Sequence, residues 1–177
     1  MMNLNRTMKQ VFSVLFFTIA AFGIFSCGDD NSLEELRKNE LALLDEYIQT
    51  NYPDVEPKPS GLYYIEEVKG SGDTIVPGDQ VQIYYATWLI DSTLIDETNG
   101  YLAGHRFEPY TVVVGSGNAI AGLEEALTYM QKGTVAKLVI NSELAYGQNG
   151  NTSSVPYVAG FTTLLMQVEV YKVYKAN

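Results

Sequence analysis

A proline-rich stretch divides the chain into two segments with different hydrophobic patterns. Pro53, Pro57 and Pro59 all lie within residues 53–60. Proline has no backbone N–H and disfavours the helical conformation of the residue before it, so neither a helix nor a paired strand is expected to continue through this stretch. We therefore predict a stiff, extended linker over residues 53–60.

The segment before the linker has the spacing of a helix. Its apolar residues recur at roughly helical intervals, and they are Leu33, Leu36, Leu43, Leu44, Tyr47 and Ile48. Ser32 followed by Glu35 fits a capping box. We predict a helix over residues 33–51, within an acidic linker-and-helix segment at 27–52. Its role stays open between a packing or spacer helix, dispensable for folding, and a helix that binds a partner or a second copy.

The segment after the linker has the texture of a sheet protein. Strands are predicted at 61–68, 81–90, 94–96, 110–114, 134–140 and 162–174, with a helix at 119–129. Such an order predicts an α+β domain over residues 61–177. Its antiparallel β-sheet would wrap around one short helix and be preceded by the N-terminal helix.

The N-terminus has the layout of a bacterial export signal. Arg6 and Lys9 precede the apolar run 11–25, which is short for a membrane-spanning helix of about 20 residues. The run ends in Ile24-Phe25-Ser26-Cys27, which resembles a lipobox, in which a small residue precedes a lipidated cysteine. We expect a lipoprotein signal peptide at 1–26 and a lipid on Cys27 that anchors the protein in the cell envelope. An uncleaved anchor helix and an ordinary signal peptide are the alternatives.

Composition argues against several functional classes. The net charge is −10, whereas nucleic-acid binding requires clustered Lys and Arg. One Cys and one His supply no ligand set for a Cys- or His-based metal site. Gly115-Ser116-Gly117 looks like a dinucleotide-binding loop, but Ile120 stands where the third glycine belongs. We expect no cofactor, no metal and no nucleic-acid partner.

From residue 61 onward, an ordered set of short motifs resembles the FKBP-type peptidyl-prolyl cis-trans isomerase family. The similar segments are Gly61–Tyr64, Pro77–Val81 with Tyr84-Tyr85-Ala86, Leu94-Ile95-Asp96, Pro109–Val112, Ala119–Leu127, Leu144–Gly147, Val155-Pro156 and Leu164–Val170. The resemblance implies an FKBP-like fold and isomerase activity on X–Pro bonds of proline-containing polypeptides. Together with the export signal, it predicts a folding helper for envelope or exported proteins.

The resemblance also implies the site residues. Asp96, Tyr146 and Ile120 would be catalytic: Asp96 as a buried polar group, the Tyr146 hydroxyl and the Ile120 backbone N–H as donors to substrate carbonyls. The remaining substrate-binding residues would be Tyr85, Ile95, Tyr110, Ala119, Leu123, Val155 and Met166.

This chemistry needs neither a nucleophile nor a metal. Rotation about an X–Pro bond is opposed by a barrier of about 18–20 kcal/mol, because resonance keeps the amide planar. A dry apolar pocket disfavours the planar, dipolar ground state relative to the twisted transition state. Donors to the neighbouring carbonyls then select the twisted geometry.

Several positions depart from the family pattern. Leu123 stands where the family usually has Trp, and Ile95 and Met166 stand where it usually has Phe. The loop 97–108 is longer than in compact members, and Arg106 is its candidate partner for Asp96. A pocket with fewer rings leaves an alternative open, a catalytically weak or inactive FKBP-like binding module anchored to the envelope.

Overall fold

The computed structural model describes residues 29–176. The predicted signal peptide and Cys27 lie outside these residues. The chain divides into two compact units, Met1–Glu35 and Leu36–Asn177. Of the first unit, the described part is the beginning of the N-terminal helix. Neither helix within residues 29–176 combines the length and apolar character needed to cross a bilayer.

The second unit, from residue 36, contains six strands and the predicted internal helix. The elements are helix α1 (Asp29–Asn51, which begins in the first unit), β1 (Tyr63–Val68), β2 (Gln80–Leu89), β3 (Leu94–Glu97), β4 (Tyr110–Val113), α2 (Ala121–Leu127), β5 (Val135–Ile140) and β6 (Leu164–Tyr174). Two 3₁₀ turns, Ser142–Leu144 and Gly147–Asn149, precede β6. The predicted α+β class and the order of elements are confirmed. Because α1 begins at Asp29, Ser32 lies inside the helix, and the capping-box interpretation is wrong.

The six strands form one antiparallel sheet in the order β1-β5-β6-β2-β3. The long strand β2 pairs with β6 along one edge, and its other edge is shared by β4 near Gln80–Ile83 and β3 near Ala86–Trp88. β3 therefore has no further neighbour in the sheet, and its residues lie at the sheet's edge. The position of β3 at the edge of the sheet therefore determines how far its side chains are exposed to solvent.

The inner face of the sheet holds the main core. Residues two apart on a strand share a face, and the inward set on β5 and β6 includes Ala136, Leu138, Met166 and Val168, all buried. The short helix α2 packs onto this face through Leu123, Ala126 and Leu127. Gly122 allows the close approach, because a Cβ there would meet the Ile140 side chain at 2.5 Å.

The outer face of the sheet is covered in part by α1. Leu44 and Ile48, 6% and 3% exposed, form a second cluster with Val139 of β5. The prolines do not hold this helix away from the sheet. The stretch 53–60 has turns at both ends, with Val55 N–H donating to the Tyr52 carbonyl at 3.0 Å and Gly61 N–H to the Lys58 carbonyl at 2.8 Å. The prediction of a linker extended throughout is therefore wrong, and the contacts favour a packing role for residues 36–51.

A buried carboxylate adds polar contacts between α1 and the segments that follow β5 and precede β6. Glu40, 3% exposed, accepts hydrogen bonds from the backbone N–H and hydroxyl of Ser142, both at 2.6 Å, and from the Thr163 hydroxyl at 3.1 Å. Arg37 donates to the same carboxylate at 2.6 Å and pairs with Glu143 at 2.8 Å. Removing Glu40 would therefore leave the Ser142 and Thr163 donors without this acceptor, whereas Arg37 would keep Glu143.

Candidate active site

The inner face of the sheet opens beside α2 into a cavity of about 530 Å³. We call it the prolyl pocket. Nine of the ten predicted site residues line it, namely Tyr85, Ile95, Asp96, Tyr110, Ala119, Ile120, Leu123, Tyr146 and Met166. They come from four strands (β2, β3, β4 and β6), from the segment 119–123 that begins α2, and from the loop after β5. The structure thus brings together residues that the sequence separates by up to 81 positions.

The floor of the pocket is apolar and held firmly. Leu123 and Met166 are 3% and 5% exposed and belong to the main core. Glu124 fixes the segment leading into the floor, because its carboxylate accepts the N–H groups of Gly115 at 2.8 Å and Ala119 at 3.2 Å. The Ile120 N–H lies at the N-terminal end of α2, where backbone N–H groups have no acceptor within the helix.

The rim of the pocket carries a short hydrogen bond between two of the predicted site residues. The Tyr85 hydroxyl donates to the Asp96 carboxylate at 2.6 Å. Burial, and then this bond and the charge of Asp96, raise the pKa of Tyr85, so its hydroxyl remains protonated as the donor. The Tyr85 ring meets the Tyr110 ring edge to face, with centroids 5.7 Å apart. Tyr85 therefore contributes to the polar part of the rim through Asp96 and to its aromatic part through Tyr110.

Two expectations about the rim are wrong. Asp96 is solvent-exposed and not buried, because β3 is at the edge of the sheet. Val155 does not line the prolyl pocket. It is 90% exposed and borders an adjoining groove, in the loop between the second 3₁₀ turn and β6.

Arg106 is not the partner of Asp96. Its guanidinium pairs with Glu169 of β6 at 2.8 Å and lies over the rings of Tyr101 and Tyr84, 4.4 Å and 5.4 Å from their centroids. The Tyr84 hydroxyl donates in return to the Arg106 carbonyl at 2.8 Å. Tyr84 and Tyr85 are adjacent on β2, so their side chains lie on opposite faces of the sheet. Arg106 therefore anchors the long loop on the face away from the pocket.

Six lining residues were missed by the sequence analysis: Thr87, Gly117, Asn118, Ala121, Ala145 and Leu164. A signal for two of them was present. Thr87 is two residues from Tyr85 and Leu164 two residues from Met166, and such pairs share a face of a strand. Within residues 29–176, no three His, Cys, Asp or Glu side chains are grouped so that they could hold a metal ion.

Comparisons with known proteins agree with this geometry. A model of the family described as FKBP-type peptidyl-prolyl cis-trans isomerase matches residues 72–171. An FK506-binding protein of Neisseria meningitidis serogroup C is 34% identical over 116 residues, which are 65% of this chain and 99% of that protein. A solved peptidyl-prolyl cis-trans isomerase from Pseudomonas syringae pv. tomato aligns with a TM-score of 0.66 at 25% identity, over 80% of this chain and 96% of its own. FkpA from Escherichia coli aligns with a TM-score of 0.67 at 25% identity, over 99% of this chain and 75% of FkpA.

The fold and the pocket define an isomerase of X–Pro peptide bonds, and the chain belongs to the FKBP-type peptidyl-prolyl cis-trans isomerase family. Its enzyme class is that of peptidyl-prolyl cis-trans isomerases. The family implies proline-containing polypeptides as substrates. The roles of the individual pocket residues stay predictions.

Proposed function

We propose that this protein is a folding helper of the bacterial envelope, which isomerises X–Pro bonds of exported proteins in the prolyl pocket by stabilising the twisted amide without covalent chemistry. The observation that carries the proposal is the pocket itself. An apolar floor made by Leu123 and Met166 lies below the hydrogen-bonded pair Tyr85 and Asp96. Such a site offers a dry surface to the proline ring and polar groups to the adjoining amides.

The chemistry follows from the difference between the two states of the amide. The planar amide is dipolar and well solvated, and the twisted amide loses its resonance. Removing water around the bond therefore costs the ground state more than the transition state. Tyr146 and Ile120 line the same cavity, and the donors they carry are the Tyr146 hydroxyl and the Ile120 backbone N–H. In this proposal they donate to carbonyls on either side of the rotating bond and orient the substrate.

The envelope location rests on the sequence of the N-terminus. A basic start, an apolar run and the lipobox-like Ile24–Cys27 support export and lipidation. The lipid, and not the protein surface, would hold the chain at the membrane, because an acidic chain is repelled by anionic lipids. Mass spectrometry of membrane-extracted protein tests this. A diacylated or triacylated N-terminus at Cys27 is expected, and a mature chain that starts elsewhere contradicts it.

One observation favours a second function, a binding module with little turnover. The positions of three aromatic rings usual in the family carry Leu123, Ile95 and Met166, so the pocket offers less ring contact to proline. Weaker contact lowers affinity for ground state and transition state alike, which raises KM without removing catalysis. We therefore prefer the enzyme.

A protease-coupled peptide assay separates the two functions. Protein comprising residues 28–177, at micromolar concentration, should accelerate cis-to-trans conversion of an X–Pro peptide. Asp96→Ala should lower kcat/KM and leave the urea midpoint of unfolding nearly unchanged, because Asp96 is exposed and its loss removes little packing. Peptide binding without acceleration would establish the binding module instead.

A further inference from the structure

A polar groove adjoins the prolyl pocket on the side of the loop that precedes β6. Its volume is about 450 Å³, and it is lined by Ile95, Asp96, Tyr146, Asn151, Ser153, Ser154 and Val155. Three of these residues, Ile95, Asp96 and Tyr146, also line the prolyl pocket. A polypeptide with its proline in the pocket would therefore place a neighbouring residue in the groove.

The groove and the pocket share a negative charge that no cation balances within the described chain. Asp96 alone is charged among the residues lining either cavity. None of the ion pairs among residues 29–176 involves Asp96. Arg106, the one Lys or Arg of the loop after β3, is engaged by Glu169 on the opposite face of the sheet.

The Asp96 carboxylate has room for a further partner. One of its oxygens accepts the Tyr85 hydroxyl, and a carboxylate offers about four acceptor positions. Because Asp96 is exposed, its carboxylate stays partly hydrated when it pairs with a cation, so the desolvation cost of pairing is small. The rest of the groove is lined by Asn151, Ser153 and Ser154, whose side-chain oxygens can accept hydrogen bonds from an ammonium or guanidinium. Asn151 Oδ1 already accepts the Ser153 N–H at 3.0 Å, and the Ser154 hydroxyl donates to the Asn151 carbonyl at 2.9 Å, which leaves the hydroxyl oxygen as an acceptor.

We propose that this groove is a subsite for a lysine or arginine side chain flanking the substrate proline, and that Asp96 determines this preference. The proposal rests on the proposed isomerase function and adds a substrate class to it. The overall charge of −10 supports it further, because an acidic protein attracts basic segments of unfolded chains. An acidic residue at the same substrate position would be repelled by Asp96.

The test compares matched peptides on the full-length protein in mild detergent. Two series carry Lys, norleucine or Glu, one series directly before and one directly after the proline. Exchange NMR gives kcat/KM without a coupling protease, and titration gives Kd. In one of the series Lys should exceed norleucine by about two- to fivefold in kcat/KM, as expected for one exposed ion pair, and Glu should fall below norleucine. High salt should reduce the ratio.

Asp96→Asn and a matched control assign the preference to a residue. Asp96→Asn should bring the Lys-to-norleucine ratio to about one, whatever it does to the absolute rate. Asp73→Asn removes the same charge from an exposed turn that lines neither cavity, and the ratio should persist. Equal rates for all peptides of the wild type, or a preference that survives in Asp96→Asn, would overturn the proposal.

The Kd ratios keep this inference separate from the proposed function. If no peptide is isomerised faster than in buffer, the isomerase function fails. A Lys preference in Kd that Asp96→Asn abolishes would still establish the basic subsite, and equal Kd values would overturn it.

Discussion

Replacing Glu40 by alanine should destabilise the whole domain although Glu40 lies on the N-terminal helix. The substitution removes the acceptor of two hydrogen bonds from Ser142 and one from Thr163, which are 102 and 123 residues away. It also leaves Arg37 with only Glu143 as an ionic partner among the described residues. The domain should therefore lose the contacts between α1 and the segments that follow β5 and precede β6, and not only helix stability.

The magnitude follows from what remains buried. Removing one member of a buried ion pair costs about 3–5 kcal/mol, and leaving a buried donor without an acceptor costs about 1–3 kcal/mol. Arg37 has a side chain 20% exposed and keeps Glu143, so part of its charge stays solvated or paired. We expect a loss of about 3 kcal/mol in the free energy of unfolding. Glu40→Gln keeps an acceptor and should cost about half as much.

Urea denaturation of residues 28–177 measures this loss. With a slope of about 2 kcal/mol per molar, Glu40→Ala should lower the midpoint by about 1.5 M. Glu46→Ala, at an exposed position of the same helix, is the control and should change stability by less than about 0.5 kcal/mol. Equal effects of the two substitutions would show that α1 is not docked through Glu40, and the reasoning would be refuted.

Three further predictions concern pH, the rim and the floor. Lys175 and backbone N–H groups hold the pKa of the buried Asp79 at about 2, below its usual 3.8. The stabilisation by the ionised carboxylate is therefore present above pH 3.8 and is lost as the pH falls toward 2. Asp79→Asn should cost on the order of 1–2 kcal/mol at pH 7, after allowing for screening at the partly exposed lysine, and should flatten the acid limb of unfolding monitored by circular dichroism. Tyr85→Phe should lower kcat/KM several-fold and the free energy of unfolding by about 1 kcal/mol. Tyr171→Phe, at a partly exposed position on the outer face, is the control and should leave kcat/KM unchanged. Equal kcat/KM values for the two variants would show that the Tyr85 hydroxyl has no part in catalysis. Leu123→Trp should tighten prolyl-ligand binding by adding ring contact, at a packing cost of about 1–3 kcal/mol; weaker binding by calorimetry would show that the floor cannot admit the ring.

The pocket was largely predictable because its residues sit at fixed places in local motifs. Ala119, Ile120 and Leu123 belong to one short run that enters a helix, and Tyr85 lies in the short motif Tyr84-Tyr85-Ala86 of β2. Asp96 was placed correctly at the site but with the wrong exposure. The sequence showed that it lies in a strand, and burial depended on that strand being at the edge of the sheet.

The long-range polar contacts could not be predicted. Arg106 finds Glu169 across 63 residues, and no local pattern distinguishes that partner from Asp96. The docking of α1 depends in the same way on Ser142 and Thr163, whose role as partners of Glu40 appears only in the folded chain. We expect residues 58–177 to unfold cooperatively without α1, and the loss of these contacts should make that chain less stable than residues 28–177.

Exchange NMR on a proline peptide in large excess over residues 28–177 tests the central claim most directly. A catalyst at substoichiometric concentration turns over many peptides, so exchange between the cis and trans resonances should become fast enough to measure, where the uncatalysed process takes tens to hundreds of seconds. The exchange rate should rise in proportion to protein concentration and fall in Asp96→Ala. Peptide shifts that report binding while cis–trans exchange stays at the uncatalysed rate would contradict the isomerase account.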